Sequence, residues 1–340
     1  MKYIRRIFLP FVFAAVMALG TTSANAACKV ILGDFDWSSA NVHTAISDFI
    51  YKHGYGCDVE VKKGSTSPIM AALYDQQIDL ITEVWRDNIV QQFEEQLAKG
   101  TIVEHGINTP ASIQAFYVDE PTAKKYNLKS VEDMKDAKIA ALFKDPEQPD
   151  KGRMTSCISG WTCYTINLVK HKEYGLDEYY TNFDPGSSGA LDAAIAGGFK
   201  KGKPVFTYYW EPTGLMAKVD LRRLEEPAYG DGKCWEDMMK VVEDIKADGP
   251  EAYKKVCASE YKDMALTKAS TKSWAEANPE LVKFIKAYSL PTATVNSLLL
   301  YYEDETQGDM EATARHFLST SDVWIKWVPA DVAKKVKAAL

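Results

Sequence analysis

Cys28-Lys29-Val30-Ile31-Leu32 and Cys57-Asp58-Val59-Glu60-Val61 decide the fold of this 340-residue chain. Each is a cysteine followed at once by a short run of strand character, and Ser38 to His53 between them reads as a helix. Strand, helix and strand in that order predict a right-handed crossover between two neighbouring parallel strands. Cysteines opening the same end of adjacent strands satisfy disulfide distances, so Cys28–Cys57 is the expected pair. Outward from this unit the alternation continues. Leu80–Val84 and Ile113–Val118 read as strands, Ile69–Gln76 and Ile89–Lys99 as helices. The pattern predicts α/β layers with mainly parallel strands.

A second set follows, with Ile139–Leu142 and Val205–Trp210 strand-like and Tyr164–His171 and Ala190–Phe199 helical. From Trp274 the chain reads as largely helical, over Glu276–Ser289, Thr292–Tyr302, Met310–Leu318 and Ala330–Ala339. Polar Pro/Gly-bearing breaks at Lys144–Arg153 and Ala228–Lys233 divide the chain without forming a single linker. A chain of this length exceeds one ordinary core. Two lobes between which the chain crosses twice fit these facts.

Lys2, Arg5 and Arg6 precede an apolar stretch from Ile7 to Gly20, and Ala24-Asn25-Ala26 supplies a small-x-small cleavage pattern. This is the pattern of a secretory leader over residues 1–26, cut after Ala26. The stretch falls short of the ~20 apolar residues of a membrane span. Acylation of Cys28 is the competing reading, against which Asn25 stands where such signals prefer a branched aliphatic residue. Losing the three leader cations takes the formal net charge from −7 to −10. So acidic a chain lacks the basic footprint of nucleic-acid binders and is repelled by anionic lipid. Six cysteines in an exported chain point to disulfides. With Cys28–Cys57 assigned and Cys157–Cys163 local, Cys234–Cys257 remains.

Cys157-Ile158-Ser159-Gly160-Trp161-Thr162-Cys163 carries the candidate site. Its disulfide closes a tight loop worth roughly 2–2.5 kcal/mol in the chain-entropy account. Trp161 then stands at the mouth of a helix whose first amides, those of Thr162 and Cys163, have no helical partner. An aromatic face suits a soft cation and the amides suit an anionic oxygen. Trp85 and Trp210 sit at strand ends, in Thr82-Glu83-Val84-Trp85 and Tyr208-Tyr209-Trp210-Glu211-Pro212. Trp235, Trp274, Trp324 and Trp327 lie in helical or disulfide-bounded segments and read as core. The site reads as one for a methylated ammonium compound.

These stretches, with Gly202-Lys203-Pro204-Val205-Phe206, Glu83-Val84-Trp85 and Trp274-Ala275-Glu276-x-Asn278-Pro279, bring a family with them. Over essentially the whole mature chain the sequence resembles the periplasmic substrate-binding proteins of glycine betaine/proline betaine/choline ABC transporters, the ProX/OpuAC-like group. The resemblance implies a two-lobed type II periplasmic binding protein fold with the ligand in the cleft. It implies lobe 1 over 27–112 and 262–340 and lobe 2 over 113–261. It also implies a tryptophan box of Trp85, Trp161 and Trp210, with the amides of Thr162 and Cys163 taking a ligand carboxylate. Trp37 matches an aromatic of choline-binding relatives, and Tyr117 is a further candidate. Thr162 stands where betaine binders often have glycine, and Arg86-Asp87-Asn88-Ile89 lacks a proline and histidine that some carry.

Glu83 and Asp36 each lie within two residues of a box candidate, so each is a candidate counter-charge, or else a solvated strand-end carboxylate. Asp34 and Glu211 are weaker candidates of the same kind. The expected ligand is glycine betaine, with choline, carnitine or trimethylamine N-oxide as alternatives. The expected partner is an inner-membrane ABC permease, and the expected state a periplasmic monomer without cofactor. A secreted hydrolase is the reading from another class. The chain lacks Gly-x-Ser-x-Gly, Gly-x-x-x-x-Gly-Lys-Ser/Thr and His-Glu-x-x-His, so no nucleophile elbow, phosphate loop or zinc motif supports it. Asp184-Pro185-Gly186-Ser187-Ser188-Gly189 reads as a turn capping the next helix.

Overall fold

Lys29–Phe35 (β1) and Asp58–Gly64 (β2) run parallel, with Val30 opposite Val59 and Leu32 opposite Val61. In this computed structural model, which describes residues 28–340, the helix Ser38–Phe49 joins them through a π-helical turn, Ile50–Tyr55. A disulfide ties Cys28 to Cys57, with Cα atoms 4.5 Å apart. The expected leader and its cleavage point lie outside the described residues. Leu80–Val84 (β3) adds to the other side of β1, also parallel, and all five of its residues are buried. A strand covered on both faces favours apolar residues throughout, and Leu-Ile-Thr-Glu-Val departs from that at Thr82 and, with an ionisable group, at Glu83.

Beyond β3 antiparallel pairs join the parallel ones. Ile102–Asp119 (β4), Gly152–Thr155 (β5), Tyr180–Phe183 (β6), Phe206–Glu211 (β7), Leu221–Arg223 (β8) and Met264–Thr271 (β9) complete the sheet. The order is β2-β1-β3-β9-β4-β7-β5-β6, with β8 also on β4. β5–β6 and β5–β7 are two more parallel pairs. β3–β9, β9–β4, β4–β7 and β4–β8 are antiparallel, so the sheet is mixed rather than mainly parallel. The physical reason is β4 and β9, two long strands that carry the chain between the halves and back. β4 pairs with β9 from Ile102 to Ser112 and with β7 from Ile113 to Val118. Its register to β9 shifts at three places between Glu104 and Ser112, which bends the ribbon.

Two other departures have local causes. Ile139–Leu142 is not a strand; Ala137–Ala140 forms a helical turn, because the Asp136 side chain accepts from the Lys138 N–H at its start. The long tail helix is split into Lys272–Ala277 and Pro279–Ala287, since Pro279 has no N–H to continue the ladder.

Two clusters fill the interior. One lies between β1, the helix Ser38–Phe49 and the tail, around Ile46, Phe49, Tyr288, Phe317, Trp324 and Trp327. The other runs from Phe35 and Trp37 into the second half, around Phe116, Trp161, Tyr208, Trp210 and Trp235. Trp274 belongs to the first cluster.

The second half also buries an ion pair that anchors the helix Thr162–Glu173. Lys170 Nζ lies 2.7 Å from Glu226 Oε2, both side chains being sealed from solvent, and it sits 3.9 Å from the Tyr261 ring centroid. Glu226 also accepts from the Tyr174 hydroxyl at 3.0 Å. Replacing Lys170 with methionine strands that carboxylate and is expected to cost about 3–5 kcal/mol in denaturant unfolding. Adding Glu226→Leu should recover most of the loss. Equal stability of the single variant and the parent would show that the pair does not anchor the helix.

Candidate functional site

The loop between β5 and the helix Thr162–Glu173 is fixed from several directions. A disulfide joins Cys157 to Cys163. The Trp161 N–H donates to the Ile158 carbonyl at 3.1 Å. Asp184 accepts from the Ser159 N–H at 3.1 Å and from the Gly186 N–H at 2.7 Å. Ser187 then caps the helix Ser188–Lys200 by accepting from the Ala190 N–H, so this Gly/Ser segment is a turn that props the loop. Gly160 has φ +94°, and a Cβ there would lie 2.9 Å from Ser65 Oγ on the opposite half. Both conformation and close approach therefore require glycine.

That approach brings rings from the two halves together. Trp37 follows β1, Trp161 heads its helix, and Trp210 lies in β7. The Trp161 ring is 5.0 Å from Trp37 and 5.3 Å from Trp210, edge-on to each at 71° and 83°. Phe35 stacks on Trp37 at 4.4 Å and 7°. Between them lies a cavity of about 40 Å³. Phe35, Trp37, Met70, Trp85 and Asn88 wall it from the first half; Gln114, Trp161, Thr162, Tyr208 and Trp210 wall it from the second. No lining side chain bears a formal charge.

The polar groups of the wall are few. Asn88 and Gln114 exchange side-chain hydrogen bonds at 3.1 and 3.2 Å, and the Tyr208 hydroxyl donates to Gln114 at 2.8 Å. Those three satisfy one another. Thr162 differs: its Oγ1 is buried and has no partner. Beside it the Thr162 and Cys163 amides open the helix, with a partial positive charge at that end.

The carboxylates stand behind the rings rather than in the wall. Glu83 Oε1 accepts from Trp37 Nε1 at 2.7 Å, from Trp85 Nε1 at 2.9 Å and from Ser39 Oγ at 3.0 Å. Burial drives the Glu83 carboxyl up to about 7, against the pull of those three donors. Asp36 Oδ1 accepts from Trp161 Nε1 at 2.6 Å, linking the halves. Neither acid lines the cavity; each instead accepts from indole N–H groups of its wall, Glu83 from Trp37 and Trp85 and Asp36 from Trp161. Asp34 turns to Lys63, 3.5 Å away. Tyr117 lies outside the cavity, within the second half's sheet opposite Thr207 and Arg223. Sequence reasoning missed Phe35, Met70, Asn88, Gln114 and Tyr208. Tyr208 shares a strand face with Trp210, and Phe35 stands two before Trp37, so period-2 alternation offered a signal for both. Met70 and Asn88 come in only through tertiary packing. Among the described residues no group of three or more acidic, His or Cys residues is placed to hold a metal ion.

Comparison with known proteins adds three findings. Residues 29–320 match the family OpuAC, described as the substrate-binding domain of ABC-type glycine betaine transport systems. The glycine betaine-binding periplasmic protein OusX of Dickeya dadantii is 27% identical over 213 residues. That match takes in 61% of this chain and 60% of the relative's length. Among solved structures, a choline-binding protein of an ABC transporter in complex with choline superposes with TM-score 0.68 at 16% identity. It covers 92% of this chain and 97% of its own. Lactococcal OpuAC, closed on glycine betaine, gives 0.64 at 17% identity, over 89% of this chain and all of its own.

Asp36→Ala leaves the Trp161 indole without its acceptor across the halves, a loss of about 1 kcal/mol of contact. The ligand-free variant is expected to show altered tryptophan emission and a larger radius of gyration by small-angle scattering. Identical emission and scattering would show that this bond does not hold the halves together.

Proposed function

Taking as premise that the chain belongs to the OpuAC family of substrate-binding domains, with a type II periplasmic binding protein fold, we propose that its aromatic cavity captures glycine betaine for delivery to an ABC importer. The family is one of receptors, so the chain is not an enzyme. The observation that carries the ligand class is a cavity walled by indole rings from both halves, uncharged, with a helix N-terminus and the lone Thr162 hydroxyl as its polar end.

The chemistry follows from what a trimethylammonium group lacks. It donates no ordinary hydrogen bond, so carboxylates alone distinguish it poorly from sodium or lysine. Aromatic faces attract its diffuse charge and cover its methyls together. Each face contributes ~2 kcal/mol when dry. Three or four faces give roughly 6–8 kcal/mol before ordering costs. Micromolar affinity needs about 8 kcal/mol, so an oxygen-binding end is required as well. The Thr162 and Cys163 amides and Thr162 Oγ1 supply it for a carboxylate. The Thr162 hydroxyl equally favours a second reading, choline or trimethylamine N-oxide, whose single oxygen suits a single hydroxyl. That the curated relative is a glycine betaine binder while a structural neighbour holds choline supports the shared headgroup rather than one tail.

In this reading lobe 1 comprises residues 27–112 and 262–340, and lobe 2 residues 113–261. Closure bends β4 and β9 and brings Trp161 and Trp210 to Trp37 and Trp85. The receptor works in the periplasm, where the family's curated members act. Removal of the leader after Ala26, a monomeric state and docking on an inner-membrane permease complete the proposal.

Titration with glycine betaine, choline or the N-oxide is expected to change tryptophan emission saturably. No change with any of them would remove the reading. Trp161→Ala and Trp210→Ala should each weaken binding more than tenfold, about 1.4 kcal/mol, with far-UV circular dichroism unchanged. Thr162→Val should weaken glycine betaine about three- to tenfold and leave tetramethylammonium untouched. Equal losses for both ligands would place the oxygen-binding end elsewhere.

A further inference from the structure

Glu83 is the one ionisable member of β3, a strand buried on both faces. It is fully buried, yet it belongs to no ion pair with a lysine or arginine among the described residues. A single oxygen, Oε1, gathers three donors: the indoles of Trp37 and Trp85 and the Ser39 hydroxyl. The other, Oε2, makes no hydrogen bond and points to His43 Nε2 at 3.6 Å. A carboxyl group thus stands directly behind two rings of a cavity whose own wall carries no charge.

Resting on the reading that the cavity takes a methylated ammonium ion, we infer that Glu83 is a positioning residue that holds Trp37 and Trp85 by their N–H groups and supplies the negative charge behind them, so that ligand capture is coupled to loss of its proton. An anionic acceptor on an indole N–H enriches the ring face that meets the cation. A cation drawn to that face in turn favours the anion. The step is a proton loss only: the O–H bond at Oε2 breaks and the proton passes to solvent.

The groups facing Glu83 leave it free to titrate. On the helix Ser38–Phe49, His43 is held neutral by burial, lowered to about 3. Its Nδ1 lies 2.6 Å from the Tyr288 hydroxyl and its Nε2 3.1 Å from Thr109 Oγ1. Once Glu83 is ionised, a tautomer protonated at Nε2 turns that N–H toward Thr109 and Glu83 while Tyr288 donates to Nδ1; while Oε2 keeps its proton, the other tautomer leaves Nε2 as an acceptor facing it. From β1, Asp34 adds like charge, with Lys63 of β2 beyond it. From β9, Lys268 is spent on the carbonyls of Ile107 and Tyr288 and acts on His43 from the far side. With burial the dominant influence, the ligand-free carboxyl sits near neutrality. The sign follows. Below pH 7 Glu83 carries a proton that capture must expel, so affinity rises with pH and levels off above it.

Isothermal titration with glycine betaine and with tetramethylammonium, neither of which titrates in this range, tests this directly. Binding is expected to be about tenfold weaker at pH 6 than at pH 8. At pH 6.5 the binding enthalpy should depend on the buffer's ionisation heat, reporting proton release. Glu83→Gln keeps an acceptor for both indoles but cannot ionise. It should fold, bind both ligands with the weak low-pH affinity throughout, and release no proton. Ligand-free parent protein should also show a tryptophan emission transition near pH 7 that the variant lacks. Saturable binding with a flat pH profile and no proton release overturns the role of Glu83 and leaves the aromatic cavity as the site. Absence of saturable binding at any pH overturns the cavity reading and this inference together. Should the variant fail to fold, the parent's buffer-dependent enthalpy and affinity profile decide alone.

Discussion

An indole ring that offers its face to a cavity still carries an N–H, and once water is excluded that N–H must find an acceptor. This constraint organises the site. Trp37 and Trp85 share one carboxylate oxygen of Glu83, and Trp161 reaches across to Asp36. The acids are therefore set behind the rings, and the wall facing the guest is left without formal charge. A carboxylate in the wall would attract any small cation. Rings with anionic backing attract those cations whose methyls also benefit from being covered.

Much of the frame was legible because its signals are local. The crossover from β1 to β2 shows in two apolar runs around a helical stretch. Trp161 declared itself by lying between two close cysteines at a helix start, and Trp210 by closing an aromatic strand. β9 was not legible, because its buried Lys268 breaks the apolar pattern and is satisfied only by the carbonyls of Tyr288 in the tail and of Ile107, 161 positions away. The mixed sheet was hidden for the same reason, since its antiparallel pairings all run through β4 or β9.

The site shows the same division. Proximity in sequence placed Glu83 near Trp85 and Asp36 near Trp37, but could not show which atoms they would meet. Asp36 pairs with Trp161 rather than with its neighbour Trp37, a partner 125 positions away. Tyr117 looked equivalent to the box aromatics by residue type, yet it lies within the sheet of the second half. Gln114, three residues earlier on the same strand and opposite Trp210, points to the cavity instead. Strand parity decides between them, and parity is set by register, which no single strand carries.

The strand shared by both halves of the sheet has a mechanical consequence. A tether of loose residues lets two bodies wander, and bringing them together then costs freedom in every direction. β4 remains hydrogen-bonded along both halves and departs from regular pairing only at the shifts between Glu104 and Ser112. Whatever swing the halves possess is confined to flexing this ribbon and its β9 neighbour, a nearly one-dimensional path. If the proposed closure follows that path, little entropy is left to surrender, and a larger share of the attraction between rings and guest would survive as affinity.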